Sequence, residues 1–183
     1  MRLRERIVVI AFIISSAVAM AGPLEDETLA AFEAYCVENI DQQSAVPALL
    51  SKQGVQPLDG GMAGGLLNGQ SGKAWLLNQT SSKMFLALTD RGVCTIYSRD
   101  ANPAELRKLF IGTFRSKVLR SESVGSQTEE WFLVTQVNRN GGDDIHLLVI
   151  TNASNLASMP GMILNGFPAS LANELGLSIT EWP

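Results

Sequence analysis

The chain has 183 residues, of which 46% are hydrophobic and 17% charged, and its formal net charge at pH 7 is −4. This length and apolar content suit one compact domain better than two. The mildly acidic balance argues against nonspecific binding to nucleic acid or to anionic lipid, so nucleic acid is not an expected partner.

The first 21 residues predict an export signal. Basic residues open the chain, an apolar run follows over 7–21, and Ala19-Met20-Ala21 supplies the small residues that signal peptidase requires. We therefore predict cleavage between Ala21 and Gly22. The apolar run is short for a membrane-spanning helix, so we expect no stable membrane insertion after cleavage, with an uncleaved anchor as the alternative. The expected compartment is the periplasm, and residues 22–183 form the expected single domain.

The two cysteines, Cys36 and Cys94, predict a structural disulfide. They are an even pair in a chain with an export signal, too far apart for a CxxC redox motif and too few for a zinc site. Two buried free thiols are the alternative.

The N-terminal part of the exported chain predicts an amphipathic helix over 25–40. Its apolar residues recur at spacings of three and four and so share one stripe, formed by Leu29, Phe32, Cys36 and Ile40. Cys36 should therefore face the core, where a disulfide would fix the helix to the sheet.

Two further segments precede the predicted strands. A short helix is expected over 44–52, with Ser44 as its cap and Pro47 in its first turn. The glycine-rich stretch over 59–72 predicts a flexible loop. The stretch ends in a GKA sequence that only superficially resembles a phosphate-binding loop, since no Ser or Thr follows the lysine and a strand follows in place of a helix. No nucleotide or other cofactor is predicted.

Residues 72–98 predict three short antiparallel strands. Apolar residues are nearly continuous over 74–77 and 84–88, which is typical of strands covered on both faces. A tight turn then leads into a strand over 93–98, and Gly92 can take the positive φ that closes such a turn.

The clearest local signal is Asn102-Pro103-Ala104-Glu105, which predicts a helix start. It combines a capping residue with proline at the first helical position and glutamate at the third. The helix should run over 103–114 and bury one stripe of apolar residues, namely Leu106, Leu109, Phe110 and Phe114. Arg107 and Lys108 should face solvent.

Three more strands are predicted over 117–124, 130–138 and 144–152, the first of them at an edge of the sheet. A hairpin turn over 139–143 joins the last two. The order of elements predicts an α+β fold with a mainly antiparallel sheet of five or six strands, N-terminal helices and a helix inserted between the strand groups. A final short helix is expected over 168–175.

Few residues suggest catalysis. His146 is the only histidine, so a metal site with two histidines or a histidine-based triad has little support. The acidic pairs Glu129-Glu130 and Asp143-Asp144 are adjacent residues, whose side chains point to opposite faces of a strand. No catalytic or metal-binding residue is predicted, and whether the chain is an enzyme stays open.

The three tryptophans, Trp75, Trp131 and Trp182, could form an aromatic platform for carbohydrate or peptide. We expect Trp75 and Trp131 to pack in the core instead, because both lie within apolar strands.

Three short motifs carry a resemblance. Phe32 and Cys36 form F-x3-C on the first helix, G-x-A-W spans Gly72 to Trp75, and G-V-C spans Gly92 to Cys94. With the helix that follows, this order resembles a set of small exported proteobacterial proteins of unknown function, some of them lipoproteins, over residues 28–115. The resemblance implies a periplasmic module with paired cysteines and supplies no catalytic residues. The chain lacks the lipobox cysteine of the lipid-anchored members.

The size, compartment and disulfide are also similar to those of periplasmic immunity proteins, which neutralise effectors delivered by neighbouring cells. The leading hypothesis is a non-enzymatic periplasmic module that binds another protein, in its most specific form an immunity-type inhibitor of a secreted effector. Contacts are expected in the loops 59–72 and 138–144, including Asn140, Asp143 and Asp144.

Two alternatives make distinct structural demands. A carboxylate-dependent hydrolase of cell-wall glycan would need two acids from different elements on one cleft wall. A ligand or lipid carrier would need an enclosed apolar cavity.

Overall fold

The computed structural model describes most of the chain after residue 23. The predicted signal peptide with its cleavage site, Asn140 and Trp182 lie outside the described residues. These residues are 24–78, 83–114, 117–124, 127–137, 143–152, 161–171 and 174–175.

Seven antiparallel strands form one sheet in the order β1-β2-β3-β7-β6-β5-β4. The strands are β1 Gly72–Asn78, β2 Lys83–Thr89, β3 Cys94–Ser98, β4 Lys117–Val124, β5 Gln127–Val137, β6 Asp143–Asn152 and β7 Met162–Pro168. The predicted α+β class and antiparallel sheet are confirmed. The sheet has one strand more than the larger predicted number, and the additional strand is β7.

Strand β7 joins the two groups of strands, because it lies between β3 and β6. The sequence predicts a helix over 168–175 here, but Pro168 still belongs to the strand, and among the described residues Ala169–Leu171 form a 3-10 turn and the N–H of Leu175 donates to the carbonyl of Leu171 at 3.1 Å. Gly166 of β7 lies against the disulfide. A methyl group at Gly166 would lie 3.6 Å from the Cβ of Cys36, so the disulfide packs directly on the strand.

One face of the sheet, here called the helical face, is covered by three helices. They are α1 Leu24–Phe32, α2 Val46–Lys52 and α4 Pro103–Phe114. Their apolar stripes and the inward side chains of the strands form the main core, which includes Phe32, Leu50, Leu86, Ile96, Phe110, Phe132 and Leu164. The core therefore spans both strand groups.

The first helix is shorter than the predicted 25–40. After α1 the chain widens into a π-helical turn, Glu33–Val37, in which the N–H of Glu38 donates to the carbonyl of Glu33 at 2.9 Å. Four residues nevertheless form the predicted buried stripe, namely Leu29, Phe32, Cys36 and Ile40. The predicted disulfide between Cys36 and Cys94 is confirmed, and both cysteines are fully buried.

The prediction that Ser44 caps the second helix is wrong. A 3-10 turn, Gln43–Ala45, leads into α2 without a side-chain cap, although Pro47 lies in the first helical turn as predicted. The side chain of Gln43 instead donates to the carbonyl of Gly92 in the β2–β3 turn. Gly92 has a φ of +88°, as that turn requires.

The glycine-rich stretch is not the predicted flexible loop, since it contains a helix, α3 Gly60–Leu66. Asp59 caps this helix by accepting the N–H of Met62 at 3.1 Å. Ala63 and Leu67 bury against the sheet face opposite the helical face, where α3 packs on β1 and β2. Burial of this stripe offsets the poor helix propensity of the glycines.

The C-terminal end of α3 is tied to the sheet by Tyr97. The Tyr97 hydroxyl donates to the carbonyl of Leu66. Burial raises the pKa of Tyr97 above its usual value, which is consistent with a side chain enclosed between helix and sheet.

Helix α4 begins where the capping signal predicts. The Asn102 side chain accepts the N–H groups of Ala104 and Glu105 at 3.0 and 3.3 Å. The N–H of Asn102 itself donates to the Glu25 carboxylate of α1 at 2.7 Å. A residue distant in the sequence thus completes the cap and links the two helices.

Candidate interaction site on the sheet edge

Strand β4 forms one outer edge of the sheet, as the sequence predicts. Among the described residues it pairs only with β5. The opposite edge is partly covered, because the N–H of Leu58 donates to the carbonyl of Ala74 in β1 at 2.8 Å and Pro57 forms a bridge with Trp75. An uncovered edge presents backbone donors and acceptors to another strand. Among the residues that the structure describes, β4 is therefore the more open edge.

The outer strand also exposes apolar side chains. Val118 is 37% exposed and Leu119 is 36% exposed. The pairing with β5 shifts between Val118 and Arg120, which leaves Leu119 as the extra residue of a bulge. The first part of β4 thus offers an apolar surface next to its free backbone.

A charged pair follows the bulge on the face opposite the helical face. An Arg120 guanidinium nitrogen lies 2.5 Å from a carboxylate oxygen of Glu122, and both side chains are nearly half exposed. This hydrogen bond holds the pKa of Glu122 below its usual value and raises the pKa of Arg120. Glu122 is therefore a carboxylate at neutral pH.

Glu122 lies directly opposite Glu129 of β5 in the strand register, on the same face. The Glu129 carboxylate accepts the indole N–H of Trp131, and its charge contributes to the raised pKa of Arg120. Two acids from neighbouring strands therefore meet on one surface, as a glycan hydrolase would require. The pKa of Glu122, however, is shifted in the direction opposite to that of a general acid. The described groups of this surface are thus one cation and two acids on one face.

Trp131 stacks on Phe167 of β7, with ring centroids 5.6 Å apart and an interplanar angle of 23°. The two rings meet across β6, where Val149 lies in register with Trp131 and is 1% exposed. Trp75 is also buried, so the prediction that both tryptophans pack in the interior is confirmed. The stacked rings fix the position of Trp131 on β5, on the same face as Glu122 and Glu129.

The acidic pair on β5 is divided between the faces, as expected for adjacent strand residues. Glu130 points to the helical face and accepts two hydrogen bonds from Arg107 of α4, at 2.5 and 2.8 Å. Arg107 is exposed, as predicted, and at the same time binds Glu130 of the sheet. The hydrogen bond that Arg107 donates to Glu130 raises the pKa of Arg107.

Of the predicted contact loop 138–144, the structure describes only Asp143 and Asp144, which do not lie beside the glycine-rich stretch. Asp143 and Asp144 begin β6, opposite Val137 and Gln136 of β5. The glycine-rich stretch leads into β1. Three strands lie between β1 and β6, so the two strands are four strand spacings apart, or about 19 Å.

β4 was predicted as an edge strand but not as a binding site. The sequence feature that could have indicated a binding site is the apolar pair Val118-Leu119 followed by the opposite charges of Arg120 and Glu122.

Within the described part of the chain, no group of three or more His, Cys, Asp or Glu residues is placed to hold a metal ion. None of the described helices combines the length and apolar character needed to cross a membrane. No protein-family model, curated protein or solved structure matches this chain.

Proposed function

We propose that this chain is a non-enzymatic periplasmic module that binds another protein, and that an extended segment of the partner adds to the sheet along β4. The observation that carries the proposal is the open edge of β4 with Val118 and Leu119 exposed beside it. In strand addition, backbone hydrogen bonds supply affinity and neighbouring side chains supply specificity.

The build of the domain supports this role. The disulfide joins the π-helical turn to β3, and α4 packs Phe110 on Phe132 of β5 with ring centroids 5.0 Å apart. The strand next to the edge is thereby held in place from the helical face. A rigid edge loses little conformational entropy when a partner strand adds to it.

The charged surface beside the edge supplies selectivity. Arg120, Glu122 and Glu129 present one positive and two negative groups on the face opposite the helical face. A partner strand would have to match this order of charges, since like charges placed directly opposite each other are destabilising. In its narrower form, the proposal is an immunity-type inhibitor whose partner is a secreted effector.

The experiment is affinity capture of the exported chain from its own envelope fraction and from the secreted proteins of competing cells, read by mass spectrometry. Recovery of one stoichiometric protein partner supports the proposal, and an effector enzyme supports the narrower form. Recovery of only background proteins from both sources contradicts it.

A further inference from the structure

We propose that a second copy of this chain is one occupant of the β4 edge, so that two copies pair antiparallel through β4 with Ser121 on the two-fold axis. The inference rests on the proposed role of β4 as a binding edge and names one partner for it. The order of charges along the strand carries the argument.

Geometry restricts how two β4 strands can meet. An antiparallel pair related by a two-fold axis perpendicular to the sheet keeps equivalent faces on the same side, so the axis must pass through a residue pair. An axis at Arg120 would place two arginines directly opposite each other, and an axis at Glu122 would place two glutamates opposite each other. Only an axis at Ser121 sets Arg120 of each copy against Glu122 of the other.

The charged side chains already point the right way. Arg120 lies in register with Trp131 and Glu122 with Glu129, so both occupy the face opposite the helical face. In the paired state, each Arg120 would lie between its own Glu122 and that of the second copy, forming a ring of four alternating charges. Directly opposed residues of antiparallel strands have Cβ atoms about 5 Å apart, within reach of both side chains.

The same pairing uses the apolar part of the edge. With Ser121 on the axis, Leu119 lies opposite Ser123 of the second copy, and the 36% exposed Leu119 side chain gains cover. The two sheets would become one continuous sheet with all described helices of the helical face on one side.

The test uses two charge-reversal variants of the exported protein, R120E and E122R. Each variant alone sets like charges against like and should dimerise at least about tenfold more weakly than wild type. An equimolar mixture of the two restores opposite charges at both positions and should form a heterodimer of wild-type affinity. Sedimentation velocity between about 1 and 500 µM, with differently tagged chains for the mixture, measures both.

Several outcomes overturn the inference. It is wrong if wild type sediments as a monomer at every concentration, if the single variants dimerise as well as wild type, or if the mixture fails to recover association. Thermal unfolding of each variant confirms that it is folded, and both positions are exposed enough to accept the change. If wild type is monomeric while partner capture still succeeds, the self-pairing falls and the proposed function stands. If the dimer forms but no other protein is captured, the self-pairing stands and the proposed function falls.

Discussion

Glu122 and Glu129 lie directly opposite each other on β4 and β5, and Arg120 binds the Glu122 carboxylate at 2.5 Å. Two like charges in this position repel each other, so Arg120 compensates a repulsion within the site as well as presenting a charge to a partner. Removing Arg120 should therefore affect the strand pair as well as binding.

We expect Arg120→Gln to lower the melting temperature at neutral pH, because Glu122 and Glu129 then face each other without a cation. Adding Glu122→Gln to that variant should recover most of the loss, which identifies repulsion as the cause. Calorimetry of wild type, Arg120→Gln and the double variant tests this. An Arg120→Gln variant with the melting temperature of wild type would contradict it.

The same contact sets a pH dependence. The folded pKa of Glu122 is lowered, so the stabilisation is present above the unfolded pKa and is lost as the pH falls through the folded value. The difference in melting temperature between wild type and Arg120→Gln should be full at neutral pH and shrink in acid. A difference that stays constant down to the acid transition would exclude this contact as its source.

Loss of the disulfide should be costly. Cys36 and Cys94 are 58 residues apart in the sequence, and closing such a loop stabilises the fold by about 4 kcal/mol in the chain-entropy model. The double variant Cys36→Ala, Cys94→Ala should lose free energy of unfolding of that order in urea titrations. The account fails here if the variant and wild type unfold at the same urea concentration.

Gly166 should accept one methyl group and no more. A Cβ atom added at Gly166 would lie 3.6 Å from side-chain atoms of Cys36 and Ile40 and 3.8 Å from Phe32, which is ordinary van der Waals contact for alanine. We expect Gly166→Ala to be tolerated and Gly166→Val to cost about 1–3 kcal/mol through overpacking. Equal stability of the two variants in urea would contradict close packing of the Cys36 turn against β7 at this position.

Gly64 offers the opposite case. It lies inside α3, and nothing lies within 4 Å of an added Cβ. Gly64→Ala should stabilise the protein by up to about 1 kcal/mol, because alanine favours the helix more than glycine does. A destabilised variant would mean that α3 is not helical in solution.

Local chemistry made parts of this fold predictable. The Asn102 cap, the positive φ of Gly92 and the stripe that buries Cys36 depend on neighbouring residues, and the structure confirms all three. The disulfide followed from the number of cysteines together with the predicted export signal. Six of the seven strands were also predicted, five from largely apolar segments and the edge strand β4 from a weak alternation.

Contacts between distant residues account for the rest. The cap of α4 is completed by Glu25 and the α2 turn is held by Gln43, neither of which a local pattern indicates. Helix α3 depends on burial of Ala63 against the sheet, which outweighs the preference of its glycines for a loop. The cluster of Arg120, Glu122 and Glu129 depends on the register between two strands, and a bulge that the sequence does not reveal sets that register.

The central claim is that this chain binds another protein through β4, and two matched variants test it most directly. Leu119→Lys places a charge on the open edge, whereas Leu49→Lys makes the same change on α2 at an almost equal exposure of 37%. Affinity capture with both variants and wild type should recover the partner with wild type and Leu49→Lys and lose it with Leu119→Lys. Capture that Leu119→Lys leaves intact would contradict the claim and move the contact away from this edge.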